Sequence, residues 1–90
     1  MKIVLSDHVI NEKIPLLKSL GWDITTSKIE KTIQNPNWRG TTKYHQPTVM
    51  SLIDKGHILR VVFKYQEDDI IFVITIHIAR RGTYESTKSS

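Results

Sequence analysis

His77 interrupts the most apolar run of the sequence, residues 69–79, where a strand built only for packing would carry another isoleucine or valine. In the preceding run, Arg60 and Lys64 alternate with apolar residues. Cleavage of an RNA phosphodiester through its own 2′-hydroxyl needs a base, a proton for the leaving oxygen and cations near phosphorus. A histidine titrates in the useful range, and an arginine can hold two phosphate oxygens at once. These residue types indicate an RNA-cleaving surface, with His77 as general acid or base and Arg60 on the phosphate.

Two consecutive apolar runs, residues 57–65 and 69–79, are predicted to form the hairpin that positions these side chains. Pairing of Tyr65 with Ile70 places the large apolar residues of both strands on one face. These residues are Leu59, Val61, Phe63, Phe72, Ile74 and Ile76. Because a slip of one residue would mix the apolar and basic sets, the pattern itself favours this register.

The other face of the hairpin is predicted to be basic. In this register Arg60 lies opposite Thr75, and Lys64 and His77 share their face. Arg80 or Arg81 emerges at the end of the last strand, with Tyr44 or His45 nearby, and the further candidates for RNA contact are Lys43, Arg81 and Arg39, which follows Trp38. A sheet face in water also carries polar side chains for solvation alone, which is the alternative interpretation of this pattern.

A first helix is predicted from about residue 8, after a short strand at residues 3–5. Pro15 is expected to bend or divide this helix, because it cannot donate a hydrogen bond to the preceding turn. Gly21 is expected to end it.

A second helix is predicted to begin with a capping box, in which Ser27 and Glu30 satisfy each other's backbone amides, and to run to Gln34. Four strands are predicted after it, at residues 38–45, 48–54, 57–65 and 69–79. The resulting fold class is α+β, with two N-terminal helices packed on one face of a four-stranded antiparallel sheet. The short strand at residues 3–5 is an optional addition to that sheet.

The composition bounds the function classes. Ninety residues, 39% of them hydrophobic, are enough for one small domain, which we expect at residues 1–84 with a disordered tail at 85–90. Thirteen lysines and arginines against nine acidic residues give a net charge of +4, which favours a polyanionic partner. The absence of cysteine excludes disulfides and thiol nucleophiles. No apolar stretch reaches membrane-spanning length, so we expect a cytoplasmic protein without membrane contact.

Other kinds of site are less consistent with the sequence. The histidines lack the spacing of a helical zinc site, and no Gly-rich phosphate loop is present, so we predict neither a metal nor a cofactor. A Ser-His-Asp arrangement could be assembled from Ser51, His77 and Asp54, but the sequence has no nucleophile elbow.

The order helix, helix, antiparallel sheet, with a basic C-terminal end, resembles the RelE/ParE superfamily of small toxins from toxin–antitoxin pairs. The most specific part is the ending Ala79-Arg80-Arg81-Gly82-Thr83-Tyr84, which is similar to the last-strand arginine and following tyrosine of RelE-like RNases. The resemblance implies a growth-inhibiting, metal-independent endoribonuclease acting on free or ribosome-bound RNA. It also implies a cognate antitoxin that covers the basic groove, and it makes Arg80 and Tyr84 catalytic candidates.

Residues 5 to 76 also resemble an uncharacterised microbial domain family related to BrnT-like toxins. The similar segments include Leu5-Ser6-Asp7-His8, Gly21-Trp22-Asp23-Ile24 and Ile33-Gln34-Asn35-Pro36. Members of that family begin their first helix with His-Ala-x-x-Arg, whereas here Val9 replaces the alanine and Glu12-Lys13 stand in the place of the arginine. Whether His8 or His45 contributes to a site is therefore left open.

Three functions remain open at this point. The first is a toxin-type endoribonuclease. The second is a non-catalytic nucleic-acid- or protein-binding module that uses the same face. The third is a ParE-like relative, with or without an antitoxin, that inhibits a protein target.

Overall fold

Five stretches rich in β-branched and aromatic residues form one sheet. In the computed structural model, which describes residues 2–67 and 69–82, the strands are β1 (Lys2–Leu5), β2 (Trp38–Thr41), β3 (Pro47–Asp54), β4 (His57–Glu67) and β5 (Ile70–Arg80). Their order across the sheet is β1, β5, β4, β3, β2. β1 runs parallel to β5, and every other neighbouring pair is antiparallel. The described chain is therefore α+β with a mixed sheet.

The strand predicted at residues 3–5 is present as β1, and it changes the character of the sheet. It pairs with β5 from Lys2 opposite Ile70 to Leu5 opposite Val73. The optional N-terminal strand is therefore part of the sheet, which has five strands and is mixed rather than purely antiparallel. The four antiparallel strands themselves are present as β2 to β5.

Pro15 divides the first helical stretch, as predicted. Before it lies a π-helical segment, Val9–Lys13, in which the Ile14 amide donates to the Val9 carbonyl five residues back. The α-helix α1 (Ile14–Ser19) follows, with Pro15 in its first turn, where a missing amide proton costs no helical hydrogen bond. Gly21 ends the stretch with a φ of 95°, a conformation that glycine adopts without steric cost.

The second helix, α2 (Thr26–Gln34), ends where predicted but begins earlier. Its N-cap is Thr25, whose backbone is extended and whose hydroxyl accepts a hydrogen bond from the Lys28 amide at 3.1 Å. The predicted capping box at Ser27 and Glu30 was therefore wrong, because both residues already lie inside the helix.

Both helices cover the same face of the sheet and enclose the core there. Val9, Leu17 and Ile29 contribute from the helical side, all of them buried. They pack on the sheet residues Val49, Leu59, Val61, Phe63, Ile71, Val73 and Ile76. This packing leaves the opposite sheet face uncovered by the helices.

A bulge in β5 decides which of its residues face the helices. Val62 pairs with Thr75 and Phe63 pairs with Val73, so Ile74 is an extra residue between them. Because side chains alternate along a strand, the extra residue exchanges the two faces of β5 at this point.

Two irregularities in the pairing of β4 with β5 make the predicted hairpin register wrong: the bulge at Ile74 and a second shift between Tyr65 and Glu67. Tyr65 pairs with Ile71 instead of Ile70, and Arg60 pairs with His77 instead of Thr75. Phe72 consequently lies opposite Lys64 on the face away from the helices, rather than with the core residues. We call this face, which carries Arg60, Thr75 and His77, the far face.

Side chains close one edge of β3. β2 pairs with β3 only as far as Met50. Beyond that point, the Leu52 amide donates to Asn37 Oδ1 at 3.1 Å, and the Leu52 carbonyl accepts from Lys28 Nζ at 3.2 Å. A polar side chain from each neighbouring element thus satisfies the backbone of this edge residue.

Candidate nucleic-acid interface

One row of residues crosses four neighbouring strands on the far face. Trp38 of β2 pairs with Met50 of β3, Met50 pairs with Arg60 of β4, and Arg60 pairs with His77 of β5. The row begins with an aromatic ring and ends with the two residues that the sequence singled out for phosphate chemistry.

Arg60 and His77 contact each other directly. Arg60 Nη1 lies 3.4 Å from His77 Nε2. Since a guanidinium only donates, His77 accepts through Nε2 and carries its own proton on Nδ1. The pair is half-buried, so both groups retain access to a ligand on the far face.

Burial and, after it, the positive charges of Arg60 and Lys13 together lower the pKa of His77 from 6.5 to about 4. Lys13 belongs to the π-helical segment, which packs against β5. His77 is therefore neutral at pH 7. It can accept a proton there, but it is not a reservoir of protons for a leaving group.

An open depression of about 520 Å³ lies over the Arg60–His77 pair. Its apolar floor includes Val62 and Ile74, and the loop between β2 and β3 stands beside it. The described residues that line it are Thr41, Thr42, Lys43, Tyr44, Gln46, Arg60, Val62, Ile74, Thr75 and His77. Its size and its mixture of apolar, cationic and hydroxyl groups suit a small polar anion or one nucleotide.

Thr42 organises the loop beside the depression, which we define as residues 42–46. Its amide donates to the Gln46 carbonyl at 2.9 Å, and its carbonyl accepts from the His45 amide at 2.9 Å. Its hydroxyl accepts from the amides of Tyr44 and Gln46, both at 3.2 Å. These bonds stop β2 at Thr41, four residues before the predicted end, because the Thr42 amide bonds within the loop.

Three of the predicted RNA-binding residues lie along the far face or its rim. Lys43 lines the depression. Lys64 is exposed opposite Phe72, with its ammonium 5.4 Å from that ring. The guanidinium of Arg81 lies 5.9 Å from the centre of the Trp38 ring. The far face therefore brings Arg60, His77 and Lys43 together, with the other two cations at its ends.

The remaining predicted residues lie elsewhere. Arg39 pairs with Val49 and Arg80 pairs with His57, so strand alternation places both arginines on the face opposite to Arg60 and His77. Tyr84, the end of the predicted domain and the predicted tail at 85–90 lie outside the described residues.

The other two histidines left open by the sequence are exposed. His8 Nδ1 lies 3.4 Å from Glu12 Oε1 at the start of the first helical stretch. His45 occupies the loop at residues 42–46 with a φ of 65°. Tyr44, beside it, lines the depression, whereas His45 is not one of its described lining residues.

A second polar cluster, which sequence reasoning missed, lies at the turn between β3 and β4. Asp54 Oδ1 accepts from the Gly56 amide at 2.8 Å and lies 3.0 Å from His57 Nδ1. These two contacts, in that order, hold the pKa of Asp54 below its ordinary value of 3.8. The His57 ring packs on Trp22, with ring centres 4.8 Å apart. The spacing Asp-x-Gly-His was the available signal, and it is typical of a side chain that braces its own turn.

Within residues 2–67 and 69–82, no three histidine, aspartate or glutamate side chains come close enough together to hold a metal ion. None of the helices in that part of the chain is long and apolar enough to cross a membrane. No protein-family model matches this chain, and no curated protein or solved structure is significantly similar to it. Function is therefore inferred from the far face itself.

Proposed function

We propose that the far face binds RNA and that the chain is a RelE/ParE-like toxin that cleaves RNA without a metal. The observation that supports this most is the Arg60–His77 contact at the base of an open depression. It combines a cation suited to phosphate with an imidazole that is neutral at pH 7. The order of two helices and four antiparallel strands is also the layout that carries the resemblance to that superfamily.

His77 acts as the base in this proposal. In the free protein, Arg60 donates to the same nitrogen, Nε2, that would take a proton. A bound phosphate attracts the guanidinium more strongly than a neutral imidazole does, because a charge-assisted bidentate contact is the stronger bond. Movement of Arg60 to the phosphate breaks its hydrogen bond to Nε2 and weakens one of the causes that lower the pKa of His77. RNA binding therefore makes His77 a better proton acceptor.

The reaction is then a displacement at phosphorus. His77 takes the proton of the 2′-hydroxyl, the 2′-oxygen forms a bond to phosphorus, and the bond to the 5′-oxygen breaks. The products are a 2′,3′-cyclic phosphate and a 5′-hydroxyl. The leaving oxygen takes a proton from a water molecule, and the hydroxide that remains takes the proton from His77, whose pKa of about 4 favours the return to the neutral imidazole at pH 7. Arg60 stabilises the charge that accumulates on the phosphate oxygens.

A cognate antitoxin would inhibit such an enzyme by covering the depression. The net charge of +4 favours an antitoxin that presents carboxylates to Arg60 and Lys43.

The second candidate is a non-catalytic RNA-binding module on the same face. The lowered pKa of His77 favours it, because the pair then lacks a general acid at neutral pH. In that case Arg60 and Lys43 hold the phosphate backbone, and affinity falls as salt rises.

The experiment is an incubation of the full chain with end-labelled single-stranded RNA in EDTA, with and without ribosomes. Wild type and His8→Gln are compared with His77→Gln, since His8 is an exposed histidine with a carboxylate neighbour outside the depression. We expect wild type and His8→Gln to produce 2′,3′-cyclic ends, and His77→Gln to lose about 100-fold or more of the rate while keeping RNA binding.

Three results would count against this. Salt-sensitive binding without products, in every variant, would identify the binding module instead. Products made equally fast by His77→Gln would exclude His77 as the base. If the wild-type protein neither binds nor cleaves the RNA, both candidate functions are rejected.

A further inference from the structure

Tyr44 is an exposed aromatic residue at the depression. Its side chain is 71% exposed although it lines the same depression as Arg60 and His77. A large aromatic ring presented to solvent beside the Arg60–His77 pair is accessible to a ligand in the depression. Rings in such positions commonly stack on nucleobases, because every base offers a flat π-surface.

The loop holds Tyr44 in place. The Thr42 hydroxyl accepts from the Tyr44 amide, and the Thr42 main chain bonds to both His45 and Gln46. His45 adopts a φ of 65°, which few residues other than glycine do and which this network maintains. Little backbone freedom therefore remains to be lost when a ligand contacts the ring.

A cation adjoins the ring. Lys43 Nζ lies 5.2 Å from the centre of the Tyr44 ring, and Lys43 lines the same depression. An unpaired nucleotide offers a base and the phosphates on its two sides. The depression offers a matching partner for each of them: an aromatic ring for the base, and an ammonium and a guanidinium for the two phosphates.

We propose that Tyr44 is the base-stacking residue of a single-stranded RNA site, with the flanking phosphates on Lys43 and Arg60. This rests on the proposed function, and it adds the strand form of the RNA and the residue that recognises it. A duplex keeps its bases stacked on one another, so it cannot offer a free base face to Tyr44. The site is therefore selective for unpaired RNA and tolerant of base identity.

The chain contains a matched control. Tyr65 is also 71% exposed, but it lies on β4 opposite Ile71, outside the described lining of the depression. It contacts Phe63 edge to face, with ring centres 5.6 Å apart. Tyr44→Ala and Tyr65→Ala therefore remove the same side chain with the same exposure from two places.

The test measures binding of a fluorescent 2′-O-methyl oligouridine, which cannot be cleaved, to wild type and both variants. A strand of the same length without bases and a duplex of the same sequence are the comparison ligands. We expect Tyr44→Ala to weaken binding of the single strand by about 5- to 150-fold, Tyr65→Ala to change it little, and Tyr44→Trp to preserve it. Binding of the strand without bases should be the same for wild type and Tyr44→Ala.

Each other result is decisive. Equal losses for the two alanine variants, or an equal loss for the strand without bases, would overturn the stacking role while leaving RNA binding intact. Duplex binding as tight as single-strand binding would overturn the selectivity. If wild type binds none of the three ligands, the proposed function itself fails. Circular dichroism of each variant establishes that a loss of binding is not a loss of fold.

Discussion

The state of His77 predicts how stability depends on pH. In the unfolded chain this imidazole binds a proton near its ordinary pKa of 6.5, whereas in the folded protein it does so only near 4. Between these values the unfolded state binds more protons, so lowering the pH through this window destabilises the fold. Taken at full value, the difference corresponds to about 3 kcal/mol. Because His77 is partly exposed, we expect screening to reduce this to roughly 1–2 kcal/mol.

The assay is urea unfolding followed by tryptophan fluorescence at about pH 7.5 and about pH 4.5. His77→Gln carries no titrating group at this position, so the contributions of the other histidines and the carboxylates cancel in the comparison. Wild type should lose roughly 1–2 kcal/mol more than His77→Gln over this interval. Arg60→Met removes one of the causes, so the pKa of His77, followed by NMR, should rise in that variant and remain below 6.5 because burial persists. Equal pH dependence of wild type and His77→Gln would refute the reasoning.

Two further predictions concern a helix cap and a turn. Thr25→Ala should lower the free energy of unfolding by about 1 kcal/mol, because the Lys28 amide loses its hydrogen-bond acceptor. Ser27→Ala should change the free energy of unfolding by less than about 0.5 kcal/mol. Equal effects of the two substitutions in urea titrations would show that Thr25 is not the N-cap. The hydrogen bonds from Gly56 and His57 lower the pKa of Asp54 in the folded protein. Its contribution to stability is therefore present above pH 3.8 and is lost as the pH falls through the lowered pKa of the folded state. The stability difference between wild type and Asp54→Asn should therefore shrink on acidification below pH 3.8, and a constant difference would contradict that role.

The sequence predicted most elements because their signals are local. Pro15 and Gly21 act through their own backbone constraints, so the division and the end of the first helical stretch were predictable. The cap was not, since Thr25 and Ser27 are both favourable N-cap residues, and the choice depends on where the helix packs.

The register of the hairpin was not predictable, because residues 70–74 are all apolar and carry no alternation that would reveal the bulge at Ile74. The pairing of Arg60 with His77 depends on that bulge and on the second shift between Tyr65 and Glu67, although the alternation of polar residues alone predicted that both side chains share a face. The loop that presents Tyr44 depends on hydrogen bonds of Thr42 that composition does not specify.

The closure of β3 at Leu52 has a consequence for how copies of this chain meet one another. Exposed strand edges recruit further strands, and a concentrated protein with such an edge tends to assemble into fibres. Here, the Leu52 carbonyl accepts from the Lys28 ammonium, and the Leu52 N–H donates to the side-chain oxygen of Asn37. Both backbone groups that an incoming strand would use at Leu52 are therefore already hydrogen-bonded. Both groups belong to side chains, so we expect acetylation of Lys28 to remove the ammonium charge from this stretch of edge and to increase self-association while the core stays unchanged.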